Sequence, residues 1–269
     1  MKQYFLIILA VLVAYAPAIA WALPPRVSFR RPVVSSGVAS PTNADVIAWW
    51  NLDNSGNDAS ANARNMSAQG TTSYTTAKVG SHSLLLDNTN EWLFIEDVAW
   101  MTPAGAFTIC GWHRPDDATP TFNVGLFSQL GNDSSEKSYG VVLQTTGIVR
   151  FSVLSAASGG VSGAGANSPT AASDYTWFFY ACVFVPSTSI TVYHNGVAGT
   201  PTTASVPAAA NNAAGTGTEA QLRIGSYNSE STNSSLGRHD SIGFFNRALT
   251  ADEITWLYNS GNGRQYSDL

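Results

Sequence analysis

Around residues 149–153 the chain alternates strictly, with Val149, Phe151 and Val153 separated by Arg150 and Ser152. A period of two is that of an extended strand with one buried and one wet face. Trp177 to Val185 is apolar on both parities, as expected of a central strand covered on both sides. After Ile190-Thr-Val-Tyr comes Asn195-Gly196, a pair suited to the two positive-φ positions of a type I′ hairpin turn. Helical signals gather in one short stretch. Thr250 stands three residues before Glu253, so the hydroxyl can accept an N–H while the carboxylate reaches back to the capping residue. Ile254, Leu257 and Tyr258 then share one face, and Gly261 offers a left-handed stop. This spacing predicts one helix near Thr250 to Asn259 in a chain that is otherwise strands and turns.

A chain of 269 residues is long enough for one large β domain with a substantial core. Charged residues make up 12%, about half the usual share of ~25%, which suits a loop-rich exported β protein. With a net charge of −5 there is no electrostatic footprint for a phosphate backbone, and nucleic acid is not an expected partner. Lys2, an apolar run from Tyr4 to Ala16, and small residues at Ala18, Ala20 and Ala22 read as a signal peptide over residues 1–22. The other reading is an uncleaved anchor, for which the run is short. After cleavage no stable membrane span is expected. No cysteine lies nearby, so lipid anchoring has no support. Residues 23–44 are proline-rich and carry Arg26, Arg30 and Arg31, as in a solvated extended linker. The folded domain is expected over 45–269, secreted or displayed outside the cytoplasm. Ser155 to Ser173 and Val197 to Gly217 are mixtures of small residues, expected as long surface loops.

Longer motifs add a resemblance. The closing string holds Asp240, an apolar strand, Asn246-Arg-Ala-Leu249, Asp252-Glu-Ile254 and Leu257-Tyr258. The opening holds Ala48-Trp-Trp-Asn-Leu-Asp53 and then Asp58-Ala-Ser-Ala-Asn62. Between them lie Lys78-Val-Gly-Ser-His-Ser-Leu-Leu-Leu-Asp87, Ala106-Phe-Thr-Ile-Cys-Gly-Trp112, Trp177-Phe-Phe-Tyr-Ala-Cys182 and Leu222-Arg-Ile-Gly225. In this order the segments resemble laminin G-like and pentraxin-like domains of the concanavalin A-like lectin/glucanase superfamily, over roughly Asp45 to Gly261. The resemblance implies an all-β, two-sheet antiparallel jelly-roll sandwich with one short C-terminal helix. It also implies a disulfide between Cys110 and Cys182, export making the oxidised form favourable. Two free buried thiols are the alternative, because bridges between strands need favourable local geometry. Neither outcome suggests redox catalysis, since the chain has no Cys-x-x-Cys.

Enzymes of the resembled superfamily that cleave glucans carry Glu-x-Asp and a second Glu close by, with acid and nucleophile on one strand face. This chain has no such run. Glu91, Glu96 and Asp97 surround an apolar strand, with Glu91 and Glu96 on opposite faces, and are read as strand ends. His82, His113, His194 and His239 lack metal-ligand spacing and are read as solvated or hairpin-edge residues. Ser158 to Gly165 is glycine-rich but lacks the lysine and helix of a phosphate cradle.

Binding is what remains. In the resembled domains carboxylates from separate loops commonly hold Ca2+, and Asp53, Asp58 and Asp240 match those positions, so a structural calcium is implied. The alternative is that each aspartate caps a turn through its own backbone. The loops with Asn132, Asp133, Glu136 and Tyr139, and with Tyr227, Asn228 and Glu230, correspond to the rim. There, rings and hydrogen-bonding groups would meet a sugar. Most tryptophans, including Trp49, Trp112, Trp177 and Trp256, are expected in the core. The expected function is a secreted, non-catalytic module for an extracellular glycan or similar polar ligand. Two other classes stay open: a structural or adhesive surface protein of a cell or virus, and a glycan-processing enzyme.

Overall fold

The computed structural model describes residues 39–96, 98–131, 137–155, 158, 162–211, 221–228 and 234–269. The expected signal peptide and most of the expected linker lie outside them. Two antiparallel sheets face each other. The first runs in the order β13 (Val197–Ala198), β12 (Ser189–His194), β11 (Phe178–Val185), β6 (Phe107–Pro115), β15 (Gly237–Phe245), β4 (His82–Leu86) and β3 (Ser73–Thr76). The strand β1 (Val46–Trp50) also pairs with β15. The second runs β10 (Gly163–Ala171), β9 (Ile148–Leu154), β8 (Lys137–Leu143), β7 (Val124–Leu130), β14 (Leu222–Ile224), β5 (Trp92–Ile95) and β2 (Ser67–Gln69). This is the expected jelly-roll sandwich.

Parity decides which residues meet. Phe107 and Ile109 of β6, Phe178, Tyr180, Cys182 and Phe184 of β11, and Tyr139, Val141 and Leu143 of β8 fill the core between the sheets. Cys110, Trp112, Phe179, Ala181 and Val183 point the other way, into a second apolar layer with Ile254 and Leu257 of the helix α1 (Ala251–Tyr258). Trp112 stacks on Tyr258 at 5.9 Å. The first sheet is therefore buried on both faces, which is why β1 and β11 read as continuous apolar runs. Trp49 and Trp50 are both inside, one in each layer.

The capping box is formed. The Thr250 hydroxyl accepts the Glu253 N–H at 3.3 Å, and Glu253 Oε2 accepts the Thr250 N–H at 2.8 Å. Arg247 clamps this turn, 2.6 Å from Glu253 and 2.9 Å from Asp45. The left-handed stop falls on Asn259 at φ 50°, two residues before Gly261. Asn195 (φ 51°) and Gly196 (φ 79°) take the two positive-φ positions of the hairpin turn. No described helix is long and apolar enough to cross a membrane.

Two expectations are corrected here. The low-complexity segment expected as a loop from Ser155 to Ser173 contains β10, which pairs with β9 from Gly163 opposite Leu154 to Ala171 opposite Ile148. Ala164 and Ala166 pack inward, Ala166 being buried, while its glycines lie close to the neighbouring strand. Cys110 and Cys182 do lie on adjacent strands, but the residue opposite Cys110 is Ala181. Cys182 is thereby turned to the other face, and both thiols are free and buried. Burial pushes Cys110 up to about 12 and raises Cys182 as well, so neither is a reactive thiolate. Alkylation of the native protein should leave both thiols unmodified, urea should expose both, and reductant should leave the melting temperature unchanged. A peptide pair linked through Cys110 and Cys182 in a non-reduced digest would contradict this register.

Candidate functional site

The alternation that buries Val149, Phe151 and Val153 turns Arg150, Ser152 and Leu154 to the outer face of the second sheet. On β8 the same rule turns out Gly140 and Val142. Above these residues lies a groove of about 320 Å³ whose polar lining comes from Asn123, Lys137, Arg150, Ser152 and Tyr227. Glycines let its side chains lie close to the sheet. A Cβ at Gly165 would come within 2.7 Å of Ser152 Oγ and 2.8 Å of Arg150 Nη2, and one at Gly140 would strike Leu130. The guanidinium is held by two bonds, Nε donating to Ser152 Oγ at 3.1 Å and Nη1 to Asn167 Oδ1 at 3.4 Å. Tyr227 is held through its backbone, since Ser128 Oγ donates to the carbonyls of Ser226 at 2.7 Å and Tyr227 at 3.0 Å. Its half-buried ring leaves the phenol raised by burial. Among the described lining residues there is neither a carboxylate nor a histidine. The groove offers hydrogen-bond donors, one ring and short apolar stretches.

The two loops expected to bind ligand leave the described chain at one edge of this groove. Leu130 pairs with Lys137 across one gap, and β14, which leads to Tyr227, pairs with β7. Asn132, Asp133, Glu136 and Glu230 themselves lie outside the described residues. Asn228 is buried, its carbonyl accepting the Ser226 hydroxyl at 2.6 Å. Tyr139 is a correction. It is fully buried, packs on Phe107 at 5.1 Å and donates its hydroxyl to the Met101 carbonyl at 2.6 Å. It lies two residues inside β8, on the core parity. Arg150, Ser152, Lys137 and Asn123 are not among the ligand-binding candidates that the sequence offers. The signal for the first two was present, in the polar positions of the 149–153 alternation.

The three aspartates separate. Asp58 spends both oxygens on its own loop and on β1: Oδ1 accepts the N–H of Trp49 and Ser60 at 2.9 Å each, and Oδ2 accepts the Ser60 hydroxyl at 2.8 Å and the Arg64 N–H at 2.9 Å. It is a turn former and stands apart from any shared cage. Asp53 and Asp240 do converge on one turn. Asp53 Oδ1 accepts the N–H of Ser81 (2.6 Å) and His82 (2.8 Å), and Oδ2 accepts Gln265 Nε2 at 2.6 Å. Burial would raise this carboxyl, but these donors hold it below its ordinary value. Asp240 Oδ2 accepts the N–H of Lys78 at 2.7 Å and Val79 at 2.9 Å, while Oδ1 is buried without a partner. Burial, opposed by those two N–H groups and reinforced by the charge of Asp53, pushes Asp240 up to about 8.

Among the described residues no group of three or more His, Cys, Asp or Glu could hold a metal. The oxygens that fit a cation reduce to Asp240 Oδ1 with Asp53 beside it. The histidines correct a further expectation, for His113, His194 and His239 are buried. The rings of His113 and His239 lie 4.4 Å apart, and burial lowers both, His239 to about 4.

The family comparison agrees with this architecture. The Laminin_G_3 family, described as the concanavalin A-like lectin/glucanases superfamily, matches residues 87–255, more than half of the chain. The chain belongs to that family. Among solved structures it resembles the binding domain of Paraclostridial Mosquitocidal Protein 1, at TM-score 0.63 and 16% identity over 81% of this chain and 52% of that one. It is also similar to domain 4 of AbnA, an extracellular GH43 arabinanase from Geobacillus stearothermophilus, in complex with arabinotriose (TM-score 0.57, 17% identity, 78% and 97% covered). A third resemblance is to the botulinum neurotoxin serotype D ligand binding domain in complex with N-acetylneuraminic acid (TM-score 0.58, 11% identity, 81% and 51% covered). The chain thus spans about half the length of the toxin domains. No curated protein matches it by sequence.

The Asp240 environment sets a pH dependence. An unfolded aspartate titrates near 3.9, so between about pH 4 and 8 the folded protein holds a proton that the unfolded chain has lost. Stability must then fall as pH rises through that window. Asp240→Asn retains an acceptor for Lys78 and Val79 and cannot ionise, so its melting temperature should vary less between pH 5 and 8 than that of the parent. Parallel pH profiles for the two proteins would show that Asp240 is ionised in the fold.

Proposed function

We propose that this chain is a secreted, non-catalytic carbohydrate-binding module whose ligand lies in the groove between Asn123, Arg150 and Tyr227. The observation that carries this reading is the groove itself: polar side chains and a ring on the outer face of the second sheet, which no described helix covers. Sugars present both C–H faces and hydroxyls, and such a mixed surface satisfies both. The arabinotriose and N-acetylneuraminic acid held by two domains of the same fold support the ligand class. The reading of no catalysis rests on the described lining, which offers no pair of carboxylates of the kind glycoside hydrolysis uses. Export is inferred from the leader-like N-terminus.

Retention on immobilised polysaccharides tests this. Each hydrogen bond to a sugar hydroxyl exchanges with one to water and is worth about 0.5–1.5 kcal/mol, so Tyr227→Ala should weaken retention by about 2–10-fold. Phe122→Ala, on an exposed ring outside the groove, should leave retention unchanged. Release of reducing ends by the pure protein would overturn the non-catalytic reading, and failure to retain any glycan would favour a structural or adhesive protein.

A structural calcium between Asp53 and Asp240 is a separate proposal. Its support is the unpartnered Oδ1 and the repulsion between two carboxylates that a hard cation would cancel. At pH 8, calcium at about a hundredfold its dissociation constant should add about 3 kcal/mol of stability, and Asp240→Asn should lose that gain. Melting curves indifferent to calcium and chelator would leave both aspartates as turn formers.

A further inference from the structure

Resting on the groove just described, we propose that it selects acidic polysaccharides carrying carboxylates on more than one sugar, polyuronates in chemical terms. The chain is poor in cations, with 13 Lys and Arg among 269 residues and a net charge of −5. Two of these cations nevertheless line one groove, with no acidic side chain among its described lining residues. Neither Lys137 nor Arg150 is in an ion pair among the described residues; the pairs there are Arg114–Asp116, Arg247–Asp45 and Arg247–Glu253. An unpaired cation in a lined groove raises the local concentration of anions.

The geometry narrows the ligand further. Arg150 uses Nε and one Nη1 hydrogen on Ser152 and Asn167, so its remaining N–H groups, both of Nη2 included, have no hydrogen-bond partner among the described residues. A fixed planar fork of this kind matches a carboxylate better than a neutral hydroxyl. Lys137 stands further along. β8 and β9 pair with Val142 opposite Arg150 and Tyr139 opposite Val153. Lys137 is five residues from Val142 across an irregularity at Ser138, which leaves about 14–17 Å between Cα atoms at ~3.4 Å per residue. One carboxylate therefore meets one cation. A chain with a carboxylate on successive sugars can meet both, with Ser152 and Tyr227 lining the groove for hydroxyls and ring faces.

Titration calorimetry at low salt with trigalacturonate, its carboxyl-reduced neutral counterpart and 3′-sialyllactose tests the proposal. Trigalacturonate should bind at least tenfold more tightly than either. Arg150→Gln and Lys137→Gln should each cost about fivefold or more toward trigalacturonate, cost the neutral sugar about twofold or less, and leave the melting temperature in place. Salt at 0.5 M should remove most of the preference, because exposed charges are screened within a few ångströms there. Equal binding of trigalacturonate and its reduced counterpart would overturn acid selection while leaving the glycan reading intact, provided Tyr227→Ala still weakens both. Sialyllactose binding as tightly as trigalacturonate would overturn the two-cation spacing. Binding of none of the three would overturn this proposal, and the glycan reading falls only if the polysaccharide panel is also not retained.

Discussion

The register of β15 is the constraint on which the rest of this structure depends. That strand pairs with β6 along most of its length, with β4 at its start and with β1 at its end. Before the irregularity between Asp240 and Gly243, His239 meets His113 and Asp240 reaches the turn at Lys78 and Val79. After it, Gly243 lies opposite Cys110 with no side chain, where a Cβ would come within 2.7 Å of the Trp49 ring. Ser241 takes φ 45° at the irregularity, which re-aims the residues on either side. A slip by one residue would drive Asp240 into the inter-sheet core and pull Phe244 out of it. Both faces of this sheet are apolar, so the register is held by each.

The same arrangement decides where a ligand can go. The outer face of the first sheet is occupied by α1, whose Ile254 and Leu257 close over Trp112 and Phe179. The corresponding face of the second sheet has Arg150 and Ser152 partly exposed and glycines beneath them. The outer face of the first sheet is thus taken up by packing, while the outer positions of the second can change without disturbing the core between the sheets.

What could be read from the sequence follows from this division. The strand alternation, the Asn195-Gly196 hairpin and the Thr250 cap were legible because each is a local signal. The pairing of the strands that carry Cys110 and Cys182 was legible too, yet their faces were not, since parity depends on a register that only the neighbouring strand fixes. Tyr139 was misplaced for a similar reason, lying just past a polar loop but already on the core side of β8. Composition hid β10, because its alanines and glycines are small where it must pass close to Arg150 and Ser152. The two ends of the domain bring Asp53 and Asp240 to one turn, whereas Asp58 is satisfied by its own loop and by Trp49.

The central claim is that ligand lies on the outer face of the second sheet. Amide chemical-shift mapping during titration with a bound oligosaccharide tests it most directly. The result expected is a contiguous set of shifts over residues 140–142, 150–154 and 163–165 with Tyr227, and none across α1. Shifts confined to the first sheet or to the turn holding Asp53 and Asp240 would contradict it.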